Sequence, residues 1–67
     1  MNAKEFWTTL SQDLMQIHDR LAAAMEKCEQ FGEVCVLESL DNALGEVSTQ
    51  IAAARVILQL ESIEVES

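Results

Sequence analysis

Ser11, His18 and Asp19 bring a hydroxyl, an imidazole and a carboxylate close together in sequence, the side-chain types of an acyl-transfer triad. Such a triad works only when the three groups converge on one reacting atom beside an oxyanion hole. Neighbouring residues on a helix diverge by about 100°, and no second element of this sequence supplies the oxyanion donors. His18 is the single histidine, and its place beside Ile17 predicts a solvent-facing ring at the edge of an apolar stripe. Cys28 and Cys35 are the only cysteines, and with one remote histidine they fall short of the four nitrogen or sulfur ligands of structural zinc. They flank a predicted turn and could face each other across it. The alternative is a pair of small apolar side chains, reduced in a chain with no secretory feature. Glu61, Glu64 and Glu66 form a carboxylate cluster that reads most simply as a solvated tail. The chain is expected to be non-enzymatic, with no metal, no cofactor and no small-molecule substrate.

What the sequence does specify is helix packing. Ala3, Trp7, Leu10, Leu14, Ile17, Leu21, Ala24, Cys28 and Phe31 recur at alternating spacings of four and three, the mark of a helix face that meets another helix. Leu37, Leu40, Leu44, Val47, Ile51, Ala54 and Leu58 repeat the rule in the second half. Gly32 lies between the runs, where a left-handed helix terminus would want it. Helix 1 is predicted over about 2–31 with Asn2 as its cap, the turn over about 31–34, helix 2 over about 34–62, and an acidic tail over 63–67. The short connection forces the helices antiparallel. No strong cap precedes Val34, so Glu33 would help through the helix dipole, or helix 2 would start irregularly with a cap at Ser39. Gly45 in mid-helix suggests close backbone approach, a slight bend or a tolerated surface glycine.

An all-α antiparallel two-helix hairpin of 67 residues has two layers and no third to close it. Chains this short rarely stand alone without a disulfide, a metal or a partner. The hairpin is therefore predicted to be completed by a partner or by dimerisation into a four-helix bundle. Four basic residues stand against twelve acidic ones, a net charge of −8, which repels phosphate backbones. Nucleic acid and anionic membranes are not the expected partners. Residues 1–31 carry three basic and five acidic groups, and 32–67 one and seven, or −2 against −6, so a basic partner would favour the second helix. The first twenty residues lack a continuous apolar core and a small-residue cleavage site, and no stretch approaches the roughly 20 apolar residues of a membrane span. The expected location is the cytoplasm.

The partner face should lie where the hairpin is most apolar. Around Ile51, the residues Val56, Ile57, Leu60 and Ile63 occupy most directions about the helix axis, and one helix-1 face cannot cover them all. Phe6 and Trp7 would stand at the edge of this surface, because antiparallel packing brings the start of helix 1 to the end of helix 2. Trp7 reads first as core packing and second as an interface anchor. Phe6, Met15, Ala22 and Met25 widen the apolar side of helix 1, so that helix 1 could touch more than one neighbour.

The run Gln50-Ile51-Ala52-Ala53-Ala54-Arg55-Val56-Ile57-Leu58-Gln59-Leu60, taken with Leu21 to Ala24 and Cys28, resembles the small co-chaperones of type III secretion needle subunits. The resemblance covers about half the chain. It implies a cytoplasmic hairpin that binds a tetratricopeptide-type chaperone, the pair keeping the needle subunit soluble and monomeric. In that case the aliphatics of Ile51 to Ile63 would be the chaperone contact. The chain departs from the family at Leu40-Asp41, where a Gln-Tyr opening is usual, and in carrying Trp7. The arrangement is also similar to the plasmid-encoded Rop hairpin, a homodimeric regulator, although the basic residues of helix 1 are too few for its mode of RNA binding. A third reading is a small acidic phage-type inhibitor that occupies a basic site on a host protein.

Overall fold

The computed structural model describes the backbone of residues 1–66 and the side chains of residues 1–60. Two helices, α1 (Ala3–Phe31) and α2 (Cys35–Glu66), pack against each other as a hairpin. Asn2 is extended (φ −86°, ψ 172°), and its Oδ1 accepts the Glu5 amide at 2.8 Å. That bond satisfies one of the donors a helix start leaves without a partner. The far end of α1 closes on Gly32, at φ 86°. The amides of Gly32 and Glu33 both donate to the Cys28 carbonyl at 2.9 Å. A side chain at this φ would be strained, which is why glycine occupies the position.

The start of α2 departs from expectation in its chemistry. Glu33 does more than complement the dipole, because its Oε1 accepts the amides of Cys35 at 2.9 Å and Val36 at 3.2 Å. The Val34 carbonyl accepts the Glu38 amide at 3.0 Å. A carboxylate one position before the usual cap thus does the work of a serine or aspartate, and Ser39 lies inside the helix. At the other end, α2 runs to Glu66, beyond the expected limit near Ser62. No glycine or proline follows Gly45 to stop it. The carboxylates of Glu61, Glu64 and Glu66 belong to side chains outside the described residues.

The core is a single seam. On α2 the residues Leu37, Leu40, Leu44, Val47, Ile51 and Leu58 are half-buried and Ala54 is 1% exposed. On α1 the seam runs through Trp7, Ser11, Leu14, His18, Leu21, Met25 and Cys28, again at spacings of four and three. This corrects the stripe drawn from hydrophobicity. That stripe shares Trp7, Leu14, Leu21 and Cys28 with the seam, but in its other row only Leu10 and Ala24 are half-buried, while Ala3, Ile17 and Phe31 are exposed. The two candidate rows lie on opposite sides of the shared one, and α2 covers the row of Ser11, His18 and Met25 more fully than the row holding Ile17. Which row is covered depends on how the short connection after Gly32 directs α2, and hydrophobicity along α1 does not report that.

Ala54 and Ser11 are the only fully buried residues among those described. The molecule measures 53 × 17 × 13 Å with a radius of gyration of 15.5 Å, where a compact domain of this length would have about 11 Å. Its accessible surface is 5155 Å². A compact monomer of this mass exposes about 4250 Å².

Candidate interaction surfaces

Of the residues with potential chemistry, Ser11, His18 and Cys28 lie along the seam while Asp19 and Cys35 are exposed, and they do not converge. Ser11 and His18 share one side of α1 but stand two turns apart, about 10 Å along the axis, beyond hydrogen-bond reach. The Ser11 hydroxyl is buried without a partner. His18 is only in part the solvent-facing ring its position predicted. Its side chain is 39% exposed on the α2 side, because the seam passes through it instead of Ile17, and its Nδ1 is 3.7 Å from Oδ1 of the largely exposed Asp19. An open trough beside it is lined by Met15, Asp19, Ser48, Ile51 and Arg55. Cys28 is half-buried, Cys35 is exposed and both are free thiols. Among the described residues no group of three or more His, Cys, Asp or Glu side chains could hold a metal ion.

The residues chosen from sequence for a partner face fall into two groups. Trp7, Ile51 and Ile57 are half-buried along the hairpin. Phe6, Val56 and Leu60 are open to solvent, at 45%, 56% and 56% exposure. The Ile63 side chain lies outside the described residues. Phe6 stacks edge-to-face on Trp7, with ring centroids 5.1 Å apart and planes at 84°, a favourable arrangement for aromatic quadrupoles. Val56 and Leu60 sit one turn apart, and each is two residues, about 200° of rotation, from Leu58 in the seam. They therefore form the side of α2 turned away from α1.

Sequence reasoning allowed α1 a second neighbour but did not place Ile17 and Phe31 on that surface. Ile17 and Phe31, assigned to the hairpin core, are 45% and 88% exposed. They share a row of α1 with Ala3, Leu10 and Ala24, seven residues apart throughout. The breadth of the apolar side of α1 pointed to more than one neighbour but not to which row would stay uncovered.

A third feature lies near the turn, where Met25, Val34 and Leu37 floor a trough edged by Glu29, Glu38 and Asp41. No protein-family model, curated protein or solved structure matches the chain. Among the described residues no helix is long and apolar enough to cross a membrane.

Proposed function

We propose that this protein is a non-enzymatic interaction module, a co-chaperone or adaptor whose α2 docks on a larger helical protein. The observation that carries the reading is the paired exposure of Val56 and Leu60, each 56% open to solvent and one turn apart on the side of α2 opposite the hairpin seam. Fully burying an aliphatic side chain of this size is worth roughly 1.5–3 kcal/mol, so covering the pair is a substantial driving force for a small domain. Ala53, one turn before Val56, is also exposed and extends the strip toward the middle of the helix. An i, i+3, i+7 strip on a helix suits the concave groove of a tetratricopeptide-type chaperone, the partner implied by the resemblance to needle-subunit co-chaperones. Ile57 and Ile51 contribute less to such a contact because the hairpin already half-covers them.

The test is titration of the chain against a tetratricopeptide-type needle chaperone by calorimetry, with Val56→Asp and Leu60→Asp beside the parent. Both variants should keep their helix content and bind at least about a hundredfold more weakly, the cost of a buried unpaired charge. Unchanged affinity in both would remove this surface from the proposal. A second reading, a small acidic inhibitor of a host protein, is favoured by the trough edged by Glu29, Glu38 and Asp41. Binding there would weaken steeply with salt, whereas the α2 strip would be nearly indifferent to it.

A further inference from the structure

We infer that two copies of this chain associate through α1, antiparallel about Ile17, and leave the outer side of α2 free. Ile17 is the middle residue of α1, whose bounds are Ala3–Phe31. A two-fold axis through it overlaps the two helices along their whole length. Ile17 itself is 45% exposed and would meet its own copy at the centre.

Moving outward from that axis, volumes complement each other. Leu10 of one copy reaches the level of Ala24 of the other, both half-covered by their own hairpins, and the exposed Ala3 reaches the level of the exposed Phe31. Each large side chain meets a small one, which lets close helices interdigitate without voids. Charges agree with the same register. Asp13 and Arg20, both exposed on the adjoining row, come within one residue of the same level, about 1.5 Å along the axis, so the dimer gains two symmetry-related ion pairs. Phe6 comes within the same one-residue offset of Lys27, whose methylene stem and ammonium suit an aromatic face.

Two whole-chain quantities support a second copy as the occupant. The chain exposes about 900 Å² more than a compact monomer of its mass, close to the roughly 800 Å² each partner buries in a stable interface. Residues 1–31 carry a net charge of only −2, whereas 32–67 carry −6. Self-association through α1 therefore brings the less repulsive halves together and leaves the acidic helices outside.

Sedimentation equilibrium on the full chain, with circular dichroism as a control of folding, tests this directly. The parent should be a dimer. Ile17→Glu should weaken the dimer about a hundredfold by burying two like charges on the axis, with helix content kept because Ile17 is outside the seam. Asp13→Arg and Arg20→Asp should each weaken it about tenfold, and the double exchange should restore the parent constant to within about threefold. A chain that is monomeric at all concentrations would overturn the inference. So would a dimer indifferent to Ile17→Glu, or single exchanges that the double does not rescue. A dimer broken by Leu60→Asp but not by Ile17→Glu would place the second copy on α2 instead. Because the chaperone titration reads Val56 and Leu60, and this experiment reads Ile17, Asp13 and Arg20, either proposal can fail alone.

Discussion

Ser11 and Gly32 show how single positions carry opposite costs. Ser11 is 9% exposed and its hydroxyl has no hydrogen-bond partner. It stands near the level of Ala54, since Met15 and Ile51, one turn further along, line the same trough. A small residue is required where the helices approach, but a hydroxyl is not. Ser11→Ala should therefore raise stability by about 1 kcal/mol, from the lost desolvation penalty and the better helix propensity, seen in urea unfolding as a higher midpoint at constant slope. Gly32 is the reverse case. Nothing lies within 4 Å of a Cβ built there, but its φ of 86° is strained for any side chain. Gly32→Ala should lower stability by about 1 kcal/mol in the same assay. The caps at these ends differ in how readable they were. Asn2 belongs to the residue types that cap helices, whereas Glu33 does not, and only its bonds to the amides of Cys35 and Val36 identify it as one.

For whole elements, α2 was the more legible. Its stripe from Leu37 to Leu58 is the stripe that packs, because over most of its length α2 offers one strong pair of rows, Leu37, Leu44, Ile51 and Leu58 beside Leu40, Val47 and Ala54. On α1 two rows flank the shared one, and the more hydrophobic row, holding Ile17, was the wrong choice for the hairpin seam. Gly45 illustrates a similar ambiguity. Sequence left open a close approach, a bend or a tolerated glycine, and the helix backbone there has open space around it, with nothing within 4 Å of a Cβ. The Thr49 hydroxyl donates to the Gly45 carbonyl at 3.0 Å. Gly45→Ala should stabilise the chain by about 1 kcal/mol, the helix-propensity difference, with a matching rise in the thermal midpoint. Glu33→Ala should destabilise by about the same amount as loss of a conventional cap, and the loss should appear first as faster amide exchange at Cys35 and Val36.

The whole molecule is a rod with one seam and two uncovered strips, one on α1 and one on α2. An object 53 Å long and 13 Å thin cannot bury large side chains on its own, and Ala54 is the only fully buried apolar residue among those described. Its stability should therefore depend on association. The thermal midpoint should rise with protein concentration as mass action requires of a dimer, and it should lose that dependence in Ile17→Glu, a comparison that scanning calorimetry over a hundredfold dilution range would make.

The sequence by itself determined that there are two helices, that Gly32 separates them, that they lie antiparallel, and which residues of α2 face inward. Those features follow from local propensity and from a 3.5-residue apolar period, both written in consecutive residues. Only the tertiary structure decided which row of α1 meets α2 more closely, with His18 half-buried on the seam and Ile17 beside it exposed. That choice depends on the direction in which a short connection launches the second helix, whereas the Glu33 cap is made by local bonds to the next residues. That direction is a property of three-dimensional packing, and no single helix's periodicity contains it.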